Sequence, residues 1–308
     1  MTKAVSKAWR GADHDTAGGT MNNQEKLQRE KAEIWSPGYV PPALRRQKDG
    51  GRKAIARLPK VVAEGDSWFD YLPGMDVLDN LRRTYGYDIE RFAEGGDTLA
   101  NMVYGTEIGR NFRRKPAGIV EVLDAVRKLK PDAVLFSAGG NDIAGDELMS
   151  YLHHIDSSES QGGASWLRGD EWRLALQHME SAIQHFAQSV WTANPKAVVV
   201  MHGYARPVPD GRAVINIPGG WHFIGPWLRP SFAKKGYIDW AKTEPWIGQL
   251  LDDFNELLAS IARDSGGRFK YVDVRPAVGR NDWANELHPT NEGFAAVAKR
   301  IDAILRRL

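Results

Sequence analysis

The 308-residue chain contains no cysteine, so no disulfide bond contributes to its stability. It also contains no run of the ~20 apolar residues that a membrane-spanning helix requires, and its first residues lack the apolar core of a secretory signal. Disulfides are rare in the reducing cytosol, so the absence of cysteine fits that compartment. These absences predict a soluble, cytoplasmic protein without a membrane span.

Common patterns of metal and nucleotide sites are missing as well. The chain has no His-Glu-x-x-His motif and no EF-hand spacing of carboxylates. His153 and His154 are adjacent and therefore lack the i, i+4 spacing of a helical metal pair. No Gly-x-x-x-x-Gly-Lys loop is present, which argues against a phosphate-transferring enzyme. We therefore expect no metal ion and no cofactor.

Charge of one sign is not in large excess, because 41 Lys or Arg residues face 39 Asp or Glu residues. The basic residues are concentrated near the N terminus. Residues 1–58 hold twelve Lys or Arg against six Asp or Glu, which leaves 29 against 33 in the remainder. Basic segments of this kind are commonly solvated rather than bound to nucleic acid, so we expect no nucleic-acid partner.

Apolar runs and amphipathic helices alternate from Leu58 onwards, which is typical of a parallel sheet covered on both faces. The apolar runs predict strands over residues 60–64, 88–92, 133–137, 197–201 and 269–274. Apolar side chains recur at helical spacing between residues 170 and 193, after Thr243 and after Thr290, which is a good N-cap. The pattern predicts an α/β fold, a three-layer αβα sandwich with a five-stranded, mainly parallel sheet.

The chain is predicted to divide into an arm and a domain. Residues 1–57 are polar and basic, with a short charged helix over residues 23–34, and are expected to form a flexible N-terminal arm. Residues 58–308 are expected to form the sandwich domain. Within it, residues 203–241 hold five prolines and seven aromatic residues, too long and too aromatic for a plain connection, which predicts an insertion after the fourth strand.

Four short segments place polar groups beside predicted strands or helices. Ser67 lies on a Gly-containing turn directly after an apolar run, which displays its hydroxyl at the end of a buried strand. The other segments are Glu94-Gly95-Gly96-Asp97-Thr98, Gly139-Gly140-Asn141-Asp142 and Asn285-Glu286-Leu287-His288-Pro289. Ligands of open α/β sheets bind at the carboxyl ends of the strands. The segments therefore predict a site that combines a nucleophile, amide donors and a base.

In this order the four segments resemble the signature blocks of the SGNH superfamily, also called GDSL esterases and lipases. The resemblance spans residues 58–308 and implies a flavodoxin-like sheet and no cofactor. It also implies that Ser67 is the nucleophile, that His288 is the base, and that Gly96 and Asn141 hold the oxyanion. Serine hydroxyls need such a base at neutral pH, and fixed donors stabilise the tetrahedral intermediate of acyl transfer.

Two positions depart from the family pattern. Trp68 follows the serine where the family usually has leucine, and Asn285 stands where it usually has aspartate. A histidine base normally has its tautomer fixed by a third group at the other ring nitrogen. Asn285 offers an amide oxygen for this purpose but no negative charge, and Asp282 and Glu286 lie close enough in the sequence to replace it. His202, directly after the fourth strand, is a rival base.

These features together predict a serine ester hydrolase that acts on a small-molecule, glycan or lipid ester through an acyl-enzyme. Trp221 and Trp227 of the insertion are expected to form an apolar or sugar-stacking wall for the substrate, unless they only pack the insertion to itself. A second class stays open, because a fold does not guarantee activity. In that interpretation, Asn285 marks a weakened triad, and the protein is a binding or interaction module that uses its basic arm and aromatic insertion.

Overall fold

Parallel strands form the central sheet of the protein, as a computed structural model shows. The structure describes residues 22–42, 57–108, 112–113, 115–160, 165–217 and 221–308, without the side chains of residues 215–217 and 221–223. The strands are β1 (Val61–Gly65), β2 (Ile89–Arg91), β3 (Ala133–Ser137), β4 (Val198–His202), β5 (Ile215–Ile217), β6 (Trp221–Phe223) and β7 (Phe269–Val272). Five of them form one sheet in the order β2-β1-β3-β4-β7, with parallel pairing throughout.

The central strands are buried from end to end, which explains their continuous apolar sequence. Every residue of β1 and of β3 is buried, because helices cover both faces of the sheet and no face is left for polar side chains. The predicted α/β sandwich with a five-stranded parallel sheet is confirmed. The structure places β3 where the sequence predicts it, and the other strands begin or end within two residues of the predicted bounds.

The helices form the two outer layers. The α-helices are α1 (Asn23–Ile34), α2 (Val77–Asn80), α3 (Leu99–Tyr104), α4 (Gly118–Leu129), α5 (Gly140–Ile143), α6 (Asp146–Ser150), α7 (Gly169–Ala193), α8 (Arg229–Lys234), α9 (Trp240–Asp264) and α10 (Asn291–Leu305), and a π-helix over Leu81–Tyr85 continues α2. Helix α10 packs against α2 and β7, whereas α7 packs against α3, α4 and α9 in the other layer. None of the helices in the described part of the chain has both the length and the apolar character needed to cross a bilayer.

The strand order locates the place where a ligand site is expected. In the order β2-β1-β3-β4-β7, the chain runs outward in opposite directions from the neighbours β1 and β3. Parallel sheets bind ligands at such a switch point, beyond the carboxyl ends of the two strands. Ser67 follows β1, and Asn141 lies in helix α5 just after β3. Both residues therefore lie at the switch point.

Helix α1 lies against the layer that contains α2. Asn22 caps it, since its side chain accepts a hydrogen bond from the Glu25 amide while the Glu25 carboxylate accepts one from the Asn22 amide. Near its end, Lys31 is ion-paired with Asp76 and Asp79 at 3.0 and 2.8 Å. The division into an arm over residues 1–57 and a domain over residues 58–308 stays a prediction, and residues 1–21 and 43–56 lie outside the described residues.

The predicted insertion contains regular structure of its own. Strands β5 and β6 pair as an antiparallel hairpin, and helix α8 follows them. The buried Glu286 connects this segment to the body, because its two carboxylate oxygens accept hydrogen bonds from four backbone amides, those of Gly211, Trp227, Leu228 and Arg229. One carboxylate therefore holds the segment over the end of the sheet where Ser67 lies.

Candidate active site

The hydrogen bonds of the buried Asp66 hold the turn that carries Ser67. The Asp66 carboxylate accepts hydrogen bonds from the Trp68 amide at 2.9 Å and from the Ser137 hydroxyl at 2.7 Å, and from the Tyr204 hydroxyl on its other oxygen. The preceding residue must be glycine, because a Cβ on Gly65 would lie 2.7 Å from that of Ser137. The turn is therefore held close against strand β3.

Burial changes the titration of this carboxyl group. The absence of water around Asp66 raises its pKa to about 6, although the hydrogen bonds from Tyr204, Trp68 and Ser137 oppose the shift. Asp66 is 1% exposed and does not line the cavity that Ser67 shares with His288. Its contacts position the turn, and its ionisation lies nearer to neutrality than that of an ordinary aspartate.

His288 lies within hydrogen-bonding distance of Ser67. Its Nε2 is 2.7 Å from the Ser67 Oγ. The histidine comes just before helix α10, whose N-cap Thr290 accepts a hydrogen bond from the Gly293 amide at 3.2 Å, and the backbone of Pro289 forms a bridge with that of Trp283. A capped helix and a bridged loop hold the imidazole in place beside the hydroxyl.

Asn285 occupies the other side of the imidazole. Its Oδ1 lies 2.9 Å from His288 Nδ1 and also accepts hydrogen bonds from the backbone amides of Leu287 and His288 at 3.0 and 3.1 Å. Its Nδ2 donates to the Tyr71 hydroxyl at 3.1 Å. These partners determine which amide atom faces the ring. His288 therefore carries its hydrogen on Nδ1, and the lone pair of Nε2 accepts the Ser67 hydroxyl hydrogen.

The two acidic residues that the sequence left as alternatives lie elsewhere. The Asp282 carboxylate accepts a hydrogen bond from the Gly279 amide at 2.8 Å. Glu286 binds the four amides of the insertion described above, and burial raises its pKa although those amides oppose the shift. Of the three candidates, the structure therefore places Asn285 at the second ring nitrogen of His288.

The surroundings of His288 favour the neutral imidazole. The residue is 4% exposed, and burial lowers the pKa of its ring from 6.5 to about 3. Tyr71 stacks on one face of the ring, with centroids 4.4 Å apart and planes at 22°, and Trp227 meets it edge-on at 5.6 Å. Because apolar rings replace water around the imidazole, the charged form is disfavoured and the proton-accepting form predominates.

Asn141 and Gly96 face Ser67 across the same opening. One N–H of Asn141 Nδ2 donates to the Asp97 carbonyl at 2.8 Å, which orients the side chain and leaves the second N–H of that nitrogen for a ligand. Gly96 has a φ of 92°, a conformation that glycine adopts without strain. Both residues line one cavity together with Ser67 and His288. The arrangement thus offers amide donors opposite a hydroxyl and a base.

The cavity has a volume of about 970 Å³ and is open to solvent. Trp227 lines it, as do Val214 and Ile224 from the segment 203–241. The backbone of Trp221 belongs to strand β6, but the Trp221 side chain lies outside the described residues. The rival base His202 does not line the cavity. It is 1% exposed, its Nδ1 lies 2.7 Å from the Gly203 carbonyl oxygen, and burial lowers its pKa to about 4.

Tyr71 is the residue at this site that sequence reasoning missed. It contacts both His288 and Asn285, yet it lies four residues after Ser67 in a stretch without a motif. Only the structure shows that this stretch turns back over the imidazole. Among the described residues, no group of three or more His, Asp or Glu side chains is placed to hold a metal ion.

Known proteins resemble this chain in fold and in sequence pattern. The solved structure of the lipase Lip_vut3 from a goat rumen metagenome is 14% identical to the chain, and the match covers 79% of this chain and 96% of that one with a TM-score of 0.49. Phospholipase A1 from Streptomyces albidoflavus NA297 is 15% identical, with 80% of this chain and 99% of that one covered and a TM-score of 0.45. The Clostridium thermocellum family 3 carbohydrate esterase is 13% identical, with 82% of this chain and 98% of that one covered and a TM-score of 0.41. No curated protein sequence matches this chain. The model of the GDSL-like lipase/acylhydrolase family matches residues 62–296, a range that includes all four signature segments. The chain therefore belongs to the GDSL-like lipase/acylhydrolase family.

Proposed function

We propose that this carboxylic ester hydrolase cleaves its substrate through a covalent acyl-enzyme on Ser67, with His288 as general base and Asn285 as the group that orients it. One observation carries the proposal, namely the continuous chain of hydrogen bonds from Ser67 Oγ to His288 Nε2 at 2.7 Å and from His288 Nδ1 to Asn285 Oδ1 at 2.9 Å. This is the arrangement that triad enzymes of unrelated folds share.

The reaction begins when Ser67 Oγ attacks the ester carbonyl and its proton passes to His288 Nε2. The tetrahedral intermediate carries its negative charge on the former carbonyl oxygen, where the free Nδ2 hydrogen of Asn141 and the backbone N–H of Gly96 stabilise it. Collapse of the intermediate breaks the bond to the alcohol oxygen, which takes the proton from His288. A water molecule, deprotonated by His288, then attacks the acyl-enzyme, and the returning proton releases Ser67 and the acid.

The neutral amide of Asn285 changes the electrostatics of this cycle. An aspartate in its place would attract the imidazolium that forms during attack, whereas the amide contributes only a hydrogen bond and the correct tautomer. Burial already disfavours the charged ring, since it lowers the pKa of His288 to about 3. Stabilisation of the transition state therefore depends strongly on the oxyanion donors, each worth about 3–4 kcal/mol in comparable enzymes.

Hydrolysis of p-nitrophenyl acetate by the wild type and by Ser67→Ala tests the proposal. We expect the variant to lose activity by a factor of about 10³ or more, because an alcohol nucleophile is removed and the remaining groups give only residual catalysis. Ser158→Ala is the matched control, since Ser158 is exposed and does not line the cavity. Equal, background-level rates in the wild type and Ser67→Ala would favour the binding module instead.

The aromatic insertion is proposed to form one wall of the site for a small-molecule, glycan or lipid ester. The edge contact of Trp227 with His288 and its position in the cavity support this proposal. Trp227→Ala and Trp221→Ala should raise KM for a large ester more than KM for p-nitrophenyl acetate, because a large ester buries more apolar surface against the wall than a short one does. Unchanged specificity in folded variants would show that the tryptophans only pack the insertion.

A further inference from the structure

Helix α1 supplies one wall of the active-site cavity. Its residues Asn23, Gln24, Leu27 and Gln28 line the same cavity as Ser67 and His288. The spacing of these four residues brings them to one face of a helix. Leu27 is half-buried, and the three amide side chains are exposed. A helix that precedes the whole sheet in the sequence therefore faces the reacting groups across an open space.

The position of this wall is set by the far end of the helix. The Lys31 ammonium donates to the backbone carbonyls of Tyr71 and Gly74 at 2.7 and 3.0 Å, in addition to its pairing with Asp76 and Asp79. Those two aspartates raise the pKa of Lys31 although burial opposes the shift.

Trp35, directly after α1, makes a further contact with the same layer, because its indole N–H donates to Asp79 at 2.6 Å. Since Tyr71 in turn stacks on His288, the contacts of α1 lead directly to the base. Lys31 therefore connects α1 to His288 through Tyr71.

The chemistry of the cavity restricts what lies against this wall. Besides the amides of α1, the lining includes Asn141 and Asn291, and its acidic members are Asp70 and Glu147. None of the described lining residues is Lys or Arg. A phosphate group prefers arginine or lysine partners, so this lining disfavours a phosphate-bearing alcohol. Side-chain amides donate and accept hydrogen bonds at once, as hydroxyl groups do.

The size of the cavity also favours a substrate that is larger than a short ester. About 970 Å³ lies near the upper end of the roughly 300–1,000 Å³ of small-molecule sites, so a short ester fills only part of it. We propose, on the basis of the ester hydrolase function above, that α1 recognises an uncharged, hydroxyl-bearing alcohol portion of the substrate through Asn23, Gln24 and Gln28. An esterified sugar is the class of substrate that fits. The acyl group then lies at Ser67, and the sugar hydroxyls bond to the amides of α1.

The test compares three substrates, namely p-nitrophenyl acetate, an acetylated xylo-oligosaccharide and acetyl-CoA, whose alcohol-like portion carries phosphates. The wild type should show a kcat/KM for the oligosaccharide ester at least about tenfold above that for acetyl-CoA. The double variant Gln24→Ala/Gln28→Ala should raise KM for the oligosaccharide ester about tenfold, since each lost hydrogen bond contributes a few-fold. Its kcat/KM for p-nitrophenyl acetate should stay within about twofold. Alanine keeps the helix intact.

Arg29→Ala is the matched control, because Arg29 is exposed and lies on the opposite face of α1. It should leave the constants for all three substrates unchanged. The proposal is overturned if acetyl-CoA is preferred, if the double variant leaves the oligosaccharide ester unaffected, or if it weakens p-nitrophenyl acetate hydrolysis equally. Each of these results leaves the role of Ser67 intact, whereas a Ser67→Ala protein with full activity would remove the proposed function itself.

Discussion

The amide oxygen of Asn285 lies 2.9 Å from Nδ1 of His288, where related arrangements commonly use a carboxylate. The oxygen accepts three N–H groups, two from the backbone and one from the ring, while the amide nitrogen donates to the Tyr71 hydroxyl. The side chain thus determines the tautomer of His288 without adding charge. The effect of orienting the imidazole can therefore be measured apart from the effect of a negative charge beside it.

The pH profile of the wild type should show the consequence of a buried imidazole without a carboxylate partner. In the proposed mechanism only neutral His288 accepts the serine proton, and burial lowers the pKa of that ring from 6.5 to about 3. The value of kcat/KM for a neutral ester should therefore stay constant from pH 8 to about pH 5 and fall only in more acidic solution. An acid limb at or above pH ~6.5 would contradict the neutral environment described for the ring.

Asn285→Asp should move that acid limb to higher pH. A carboxylate beside the ring favours the imidazolium and so raises the pKa of His288, while the Tyr71 hydroxyl can donate to the new oxygen in place of the lost amide contact. We expect a shift of about one pH unit or more and a kcat at pH 8 that is retained or increased. Asn285→Ala is the control, and it should lower kcat without raising the limb. A limb that stays in place in the aspartate variant would show that the titrating group is not His288.

Asn141→Ala should lower kcat by a factor of about 10²–10³ with little change in KM, because in the proposed mechanism Asn141 donates to the oxyanion and so acts in the transition state. Asn101→Ala is a close control. Both amides bind the residue at position 97, Asn141 its carbonyl and Asn101 its carboxylate, each at 2.8 Å, but Asn101 does not line the cavity. Steady-state kinetics of both variants with p-nitrophenyl acetate separate the roles. If the two variants lose kcat equally, the loss comes from the missing hydrogen bond to Asp97 and not from a missing donor to the oxyanion.

Glu64→Gln should remove a pH dependence of stability. Burial raises the pKa of Glu64 to about 8, the Gly65 amide opposes the shift, and Asp97, Glu121 and Glu94 add repulsion. A raised carboxyl pKa stabilises the fold below the unfolded value of 4.5, and this contribution is lost as the pH rises through about 8. Urea unfolding of the wild type should therefore give a free energy of unfolding lower at pH 8 than at pH 5 by on the order of 2–4 kcal/mol.

The glutamine variant has a neutral side chain at every pH and should show a much smaller difference between the two conditions. Glu90→Gln is a suitable control, because Glu90 is exposed on strand β2. If the wild type is equally stable at pH 5 and pH 8, then Glu64 is already ionised in the folded state at neutral pH.

Much of the fold follows from local pattern. The apolar runs of β1 and β3 need two covered faces, which only a sheet between helix layers provides, and Thr290 marks the start of α10 by simple capping chemistry. The segment around Tyr71 has no such pattern. Its position over His288 depends on contacts with Asn285, which is 214 residues away, and no local rule specifies them.

The sequence by itself determined the parallel sheet and the four segments that meet at its carboxyl edge, because burial and turn chemistry are properties of neighbouring residues. Only the tertiary structure decided which of Asn285, Asp282 and Glu286 faces the imidazole. That choice depends on partners distant in the sequence, since the Glu286 carboxylate accepts hydrogen bonds from the backbone amides of residues 211 and 227–229 instead. The same holds for helix α1, whose polar sequence does not reveal that Lys31 binds Tyr71, Gly74, Asp76 and Asp79 and so places the helix along the cavity that Ser67 lines.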